Sequence, residues 1–327
     1  MTPENYDPWA EVVDPVNSSP RVVVLGGGHG LAANLRALRS FSDDITAVVT
    51  VADNGGSSGR LRRELGVLPP GDLREALAAL CRDDEWGRTW AKVLQHRFES
   101  AGELHSHAVG NLLIVALWEL SGHVEGLDWV GRLLGAEGRV LPMSEVPLDI
   151  AAQVRGADPT RPTEVSTVRG QVEVATTLGM VESVELVPPD PPACVEALKA
   201  IEAADWVILG PGSWYTSVLP HLLLPELRAT LTSTRARRCV TLNVATQQGE
   251  TEGFSSSTYL EVLAVHAPDL QIDVVLADAT RVVDMPMLEE TVNGLGAELV
   301  LADIAASDGS ARHDIGNLAT AYSGIMQ

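Results

Sequence analysis

"VVVLGGGHGLAANLRAL", residues 22–38, runs four hydrophobic residues into three glycines, a histidine, a fourth glycine and then leucines at helical spacing. Val22 to Leu25 read as a buried strand, and Leu31, Leu35 and Leu38 as one face of a helix. Gly26, Gly27, Gly28 and Gly30 let the chain reverse sharply between them and turn bare N–H groups outward, with His29 in their midst. The N-terminus of the following helix adds unpaired donors and its positive dipole end, so the joint suits an anion.

The same strand–loop–helix pattern recurs along the chain. "ITAVVTV" (45–51) reads as a second buried strand that empties into "ADNGGSSGRLRREL". "LPPGDLREALAAL" reads as a loop and a helix, with Asp72 and Glu75 spaced as a capping box. Residues 86–100 and 107–121 read as helices, the second apolar on nearly every side and so central. From Val140 to Val187, short alternating segments such as "EVSTVRGQVEVAT" predict a small, partly antiparallel insertion. From residue 205, "DWVILG", "CVTLNV", "IDVVLAD" and "AELVLAD" alternate with helices. Apolar strands alternating with helices predict an α/β fold: a Rossmann-like, doubly wound, mostly parallel sheet covered on both faces. The expected organisation is a flexible tail over 1–20 and a single domain over 21–327, interrupted by the insertion at about 140–187.

The chain has 327 residues, 45% of them hydrophobic and 20% charged, which is ordinary for a globular protein with a well-filled core. Its 44 acidic residues against 23 basic ones give a net charge of −21, a field that repels nucleic acid and anionic membranes. A small phosphorylated ligand is still compatible, because a glycine loop with one or two arginines acts over shorter distances than that field. Cys81, Cys194 and Cys239 lie far apart with no C-x-x-C spacing, which predicts buried, reduced thiols. The first 20 residues lack the basic start and apolar core of a signal peptide, and "VGNLLIVALWEL" (109–120) is too short to span a bilayer. The expectation is a cytoplasmic protein without membrane insertion.

Four predicted strand ends open into ligand-like loops: "GGGHG" (26–30), "ADNGGSSGR" (52–60), "GPGSWYTS" (210–217) and "NVATQQGETEGFS" (243–255). In a doubly wound sheet such loops share the carboxyl edge, where ligands bind. Gly28-x-Gly30-x-x-Ala33, with Asp53 downstream, also fits a dinucleotide fingerprint, which keeps a nicotinamide enzyme as a rival. Against it, Asp53 and Asn54 open a second loop in which Gly55, Gly56, Ser57, Ser58, Gly59 and Arg60 offer backbone donors, hydroxyls and a guanidinium, a set suited to phosphate. Asp72 suits a helix cap first, and a metal or ribose hydroxyl second. His107 and Asn111, four apart, face one way if helical. His105 and His107 have no acidic or cysteine partner nearby, so no zinc site is expected. Gly210 and Gly212 allow close approach of a ligand; Ser213 suits a helix cap, with Tyr215 and Thr216 in the next turn. No nucleophile elbow, no H-E-x-x-H and no cysteine with an evident base is present.

Seven ordered stretches, "GGGHG", "VTVADNGGSSGRLR", "PPGD", "LQHRFES", "HAVGNLL", "GPGSWYTSVLP" and "NVATQQGETEGFS", resemble the bacterial gluconeogenesis factor family, often called YvcK-like. That family is a relative of the 2-phospho-L-lactate transferases of coenzyme F420 synthesis. The resemblance implies a Rossmann-like core and binding of a UDP-sugar, UDP-N-acetylglucosamine, with a role in cell shape and peptidoglycan synthesis on gluconeogenic carbon sources. It implies regulation by serine/threonine kinases and cell-envelope synthesis proteins as partners; the fold often builds homodimers. Nucleotide contacts carry over to Gly27, Gly28, Gly212, Ser213 and Asn243, and a C-terminal Arg-His pair to "ARHD", hence Arg312. No cofactor is required on this reading; a transferase would use Mg²⁺. The family and the transferases commonly have two acids where this chain has Asp53 and Asn54, which predicts weak or absent transferase activity because Asn offers Mg²⁺ only a neutral carbonyl.

Overall fold

The computed structural model describes residues 19–247 and 249–327. Seven parallel strands form the main sheet: β1 (Arg21–Gly26), β2 (Asp44–Val49), β3 (Arg139–Pro142), β7 (Trp206–Leu209), β8 (Arg237–Thr241), β9 (Val274–Asp278) and β10 (Glu298–Ala302). Their order is β10-β9-β8-β7-β1-β2-β3. The chain winds outward from β1 through β2 to β3, then returns to the other side of β1 and winds through β7 to β10. The strand order therefore reverses between β1 and β7, and a crevice opens at their carboxyl ends. Leu25 of β1 stands opposite Leu209 of β7, so the loops after Gly26 and Leu209 emerge side by side.

Helices close both faces, as the apolar strands require. Leu31, Leu35 and Leu38 are buried on α1 (Gly28–Leu38), which packs against α3 (Gly71–Leu80) and α13 (Ile315–Ile325). The three cysteines are buried and free. Among the described residues, no helix is long and apolar enough to cross a membrane.

Several boundaries differ from the sequence reading. The helix expected over 86–100 ends early: α4 spans Glu85–Gln95 and His96 turns to extended backbone. Residues 97 and 108 pair across the loop that follows. The helix expected over 107–121 begins two residues later, as α5 (Val109–Ser121), and is only half covered, with Leu120 82% exposed. Its leucines exceed what its neighbours cover, so uniform hydropathy misstated its depth. The expected insertion starts later too, because Val140 lies in β3 and β3 pairs with β2 in the main sheet. The antiparallel unit is β4 (Asp149–Arg155), β5 (Val165–Arg169) and β6 (Met180–Val187), in the order β5-β4-β6, with the short helix α7 (Gln171–Ala175) between β5 and β6. The expected tail lies, up to residue 18, outside the described residues. Ser19 and Pro20 are held, the first accepting from the Asp43 amide at 3.2 Å and the second from the Ser42 hydroxyl at 2.7 Å.

Candidate functional site

At the switch point the glycines first serve packing between loops. A Cβ on Gly27 would lie 2.6 Å from Asp72 Oδ2 and 2.6 Å from Thr50 Cγ2. One on Gly30 would lie 2.3 Å from the Pro211 carbonyl oxygen. The two loops touch through bare backbone, and α1 begins at Gly28 with its first turn facing outward. His29 projects into solvent, with Nε2 3.4 Å from Glu75 Oε1. Gly26 closes β1, its carbonyl accepting from the Thr50 amide.

The second face of the crevice is clamped from below. Asn243 accepts from the Gly212 amide at 2.9 Å and donates to the Gly212 carbonyl at 2.8 Å, fixing that residue through both its backbone groups. Asn34 donates to the Gly210 carbonyl at 2.6 Å and accepts from the Tyr322 hydroxyl, which in turn bonds Thr241. Gly210 and Gly212 have φ of +69° and +150°, conformations that L side chains resist. Ser213 does not cap a helix as expected; its hydroxyl accepts from Gln247 Nε2. Tyr215 and Thr216, expected to reach a ligand, turn inward. The Tyr215 hydroxyl donates to the Val181 carbonyl of β6, and the Tyr215 amide and Thr216 hydroxyl both donate to the buried carboxylate of Glu250. Burial holds that carboxyl above its ordinary range, and these donors offset the cost. The π-helical turn at Trp214–Val218 is thus a buried anchor.

Loop 52–60 divides its residues between two tasks. Asp53 accepts from the Gly55 amide at 2.8 Å, and α2 (Gly56–Leu65) starts immediately after. Asn54 turns away from the crevice: Nδ2 donates to Glu173 Oε2 at 2.7 Å, and Oδ1 accepts from the Val172 amide at 3.0 Å. Its amide is therefore matched to a carboxylate on α7, which corrects the expectation of a side chain at a ligand or metal beside Asp53. Asn54→Asp would set two carboxylates against each other; we expect a loss of about 1 kcal/mol in urea unfolding, recovered in the Asn54→Asp/Glu173→Gln double variant. No recovery would mean the contact is not formed. Arg60, expected at a phosphate, instead donates to the carbonyls of Glu103 and His105 and holds the 96–108 loop.

Ser57, His107, Asn111 and Arg74 form a buried network. The Ser57 hydroxyl accepts from Asn111 Nδ2 at 3.0 Å and the Ala108 amide at 3.4 Å, so its own proton goes to His107 Nδ1 at 2.9 Å. That fixes the imidazole as neutral with its proton on Nε2; burial, with Arg60 next, holds its pKa below the usual value. Asn111 Oδ1 accepts from Arg74 at 2.9 Å. His107 lies in the loop before α5, not on the helix as expected, yet it and Asn111 converge on one hydroxyl.

Asp72 is not a cap. Pro70 holds that position and no side chain caps α3. Asp72 lies in the first turn against Gly27, and burial, then Asp53, then Glu75, raise its pKa to about 7.

A groove of about 900 Å³ runs from this point along α1. Its walls carry Arg36, Arg74, Arg97 and Arg312, from α1, α3, the loop after α4 and the segment before α13. Among the described residues, none of these four has a carboxylate oxygen within 4.0 Å. Arg312 was read from sequence; Arg36, Arg74 and Arg97 were not. Arg74 and Arg97 stand inside quoted motifs, "LPPGDLREALAAL" and "LQHRFES", but only the fold turns them to one cleft. Among the described residues, the one group of three acidic, histidine or cysteine side chains close enough to share an ion is Glu145, Cys194 and Glu196, none of which lines the groove.

The switch-point crevice, with its glycine loops and a neighbouring groove whose walls carry Arg36, Arg74, Arg97 and Arg312 among Glu75, Asp308 and Asp314, defines an α/β protein with its candidate site at the carboxyl edge of the sheet. The chain belongs to the family described as 2-phospho-L-lactate transferase CofD, whose pattern matches residues 22–314. It is 51% identical over 308 residues to a Mycobacterium tuberculosis protein named "Putative gluconeogenesis factor", covering 93% of this chain and 90% of that one. It is 34% identical over 321 residues to the gluconeogenesis factor of Listeria monocytogenes, covering 94% and 96%. A crystal structure of a UPF0052 family protein from Bacillus halodurans superposes with a TM-score of 0.83 at 33% identity, over 93% of this chain and 99% of that one.

Proposed function

We propose that this chain is a regulatory protein that binds UDP-N-acetylglucosamine in the groove along α1, with the sugar nucleotide's pyrophosphate at His29 and Gly30 of the first glycine loop and at Arg312, which line it; the Gly210–Ser213 loop packs against Gly30 outside the lining. The observation that carries the reading is the convergence on one groove of four arginines, none with a carboxylate oxygen within 4.0 Å among the described residues, outnumbering Glu75, Asp308 and Asp314 on the same walls in a chain of net charge −21. Guanidiniums in an acidic protein that lack carboxylate partners suit a phosphorylated ligand. The volume of about 900 Å³ also falls within the usual range for small-ligand sites. The relatives named gluconeogenesis factor support a role on gluconeogenic carbon; cell shape and peptidoglycan synthesis, a cytoplasmic location, serine/threonine kinase control and a homodimer, which the sequence resemblance implies, belong to the same proposal.

Isothermal titration of the full chain tests it. UDP-N-acetylglucosamine binds without Mg²⁺, and Arg312→Ala weakens it about tenfold, or about 1.4 kcal/mol. Unchanged affinity in Arg312→Ala removes the site assignment, and binding of NAD(H) in place of the UDP-sugar favours the nicotinamide rival.

The family match favours one second reading, a Mg²⁺-dependent transferase that moves a phosphorylated hydroxy acid from a nucleotide-activated donor onto an acceptor hydroxyl, the new P–O bond forming as the donor's phosphoanhydride bond breaks and the nucleoside monophosphate leaves. Asp53 and Asp72 line one pocket and would hold the ion, two carboxylates being enough when phosphate oxygens complete its shell. Mg²⁺ would neutralise charge developing on the phosphate. Asn54 does not weigh against this reading, since its side chain belongs to the α7 contact. Mg²⁺-dependent transfer of 2-phospho-L-lactate from its nucleotide-activated donor to the deazaflavin Fo by purified protein, with release of the nucleoside monophosphate, is the result that would establish it.

A further inference from the structure

Two stretches of chain carry the antiparallel unit: residues 143–148 lead from β3 into β4, and residues 188–194 lead from β6 into α8 (Val195–Ala203). The two are pinned together at their roots. The Cys194 amide donates to the Met143 carbonyl at 3.1 Å, and the Ser144 hydroxyl donates to the Pro192 carbonyl at 2.7 Å. The Ala193 amide donates to Glu226 Oε2 at 2.8 Å. On this fixed backbone Glu145, Cys194 and Glu196 converge, one oxygen or sulfur of each lying within 4.8 Å of the other two.

The donors run from the interior to the surface: Cys194 is buried, Glu196 half-buried and Glu145 exposed. Cys194 Sγ lies 3.5 Å from Glu196 Oε2. A tetrahedral zinc ion, with sulfur at about 2.3 Å and carboxylate oxygen at about 2.0 Å, sets two such ligands about 3.5 Å apart.

The second observation is charge. Among the described residues, no lysine or arginine nitrogen lies within 4.0 Å of either carboxylate. Arg139, on β3, is instead engaged by Asp128 through two hydrogen bonds of 2.9 and 2.7 Å. Two carboxylates crowded against a buried thiol repel one another when ionised unless a cation sits among them. Behind Glu145 stands His123, the first residue of α6 (His123–Leu134). Its Nδ1 is 3.5 Å from Glu145 Oε2, and its ring packs edge-on against Trp118 with centroids 5.3 Å apart. A metal-bound carboxylate is commonly oriented by a polar partner of this kind.

We propose that Glu145, Cys194 and Glu196 form a binding site for a thiophilic divalent cation, Zn²⁺ above all, with His123 orienting Glu145. The thiol gives its proton to solvent as the metal–sulfur bond forms. A thiolate donor selects zinc over Mg²⁺ and Ca²⁺, which prefer oxygen alone. The ion ties the chain leaving β3 to the chain entering α8, and so closes the base of the antiparallel unit. None of the three donors lines the groove or the pocket of Asp53 and Asp72, so the site holds or fails apart from both functional readings above.

The test is titration of the untagged, reduced full chain with Co²⁺, whose bond to a thiolate gives a near-ultraviolet charge-transfer absorption that carboxylate and imidazole ligands do not. The band saturates at a single equivalent, Zn²⁺ abolishes it, and excess Mg²⁺ leaves it in place. Cys194→Ser loses the band. Glu196→Gln weakens Co²⁺ binding at least about tenfold, the loss usual even for a partner outside the ligand set. If Cys194→Ser does not fold, Glu145→Gln, an exposed change, carries the test with an expected loss of about fivefold. Absence of the band in wild type, its survival in Cys194→Ser, or equal Co²⁺ affinity in wild type and Glu145→Gln overturns the site; displacement of Co²⁺ by Mg²⁺ overturns the thiolate donor set.

Discussion

Gly30→Ala loses about 3 kcal/mol of stability in urea unfolding, with an unchanged m-value, a cost at the upper end of the usual range for overpacking. The added methyl would lie 2.3 Å from the Pro211 oxygen, 2.7 Å from the Pro211 carbonyl carbon and 2.9 Å from the Gly212 Cα. All three are backbone atoms, so no side chain can swing aside. Gly212 is in turn fixed by Asn243 and Gly210 by Asn34, and relief requires moving a loop that these hydrogen bonds and β7 hold. Overpacking costs typically about 1–3 kcal/mol and more where the surroundings are rigid. Gly28→Ala is the informative control. Its built Cβ meets nothing within 4 Å, and the cost there is confined to the φ of +57°, about 1 kcal/mol. Equal effects at positions 28 and 30 would show that close loop contact is not what position 30 requires.

Asp72→Asn stabilises the protein by about 1–3 kcal/mol at pH 8 and leaves it unchanged at pH 4. Burial, Asp53 and Glu75 raise this carboxyl from 3.8 to about 7, while the Gly28 amide opposes the rise. A group with a raised folded pKa binds its proton more tightly in the native state. Its ionisation costs nothing below about pH 4, costs progressively more as pH rises toward 7, and costs the full amount above that. Each tenfold difference in proton affinity between the folded and unfolded chain corresponds to about 1.4 kcal/mol. The side chain retains some solvent contact, so screening reduces the sum to the range given. The amide removes the charge and keeps an oxygen for Gly28. A stability gain of this kind at a residue facing the crevice fits a site that trades stability for ligand chemistry. A loss at pH 8, or a gain independent of pH, would contradict the assigned environment.

The central architecture was legible because its signals are local. Val22–Leu25 had to be buried on both faces, Leu31, Leu35 and Leu38 had to share a helix face, and the glycines between them had to turn. Four strand–loop units of this kind imply a parallel sheet, and a parallel sheet implies a carboxyl edge carrying the loops. Of the groove's lining, His29, Gly30 and Arg312 were named from sequence; Arg36, Arg74 and Arg97 were not.

What each residue does there was decided by contacts distant in sequence. Asn54 read as a ligand residue because its neighbours do; its partner Glu173 lies 119 positions away. Tyr215 and Thr216 stood in a glycine loop, yet Glu250 draws them inward. Asp72 had the spacing of a capping box, but Gly27, far earlier in the chain, leaves room for its carboxylate to face α1. Arg74 and Arg97 carried no local signal, because an unpaired arginine is defined by the carboxylates that fail to reach it. Hydropathy and backbone preference act within a few residues and so belong to the sequence alone. Hydrogen-bond satisfaction and charge pairing depend on which distant groups the fold brings together, and only the tertiary structure decided them.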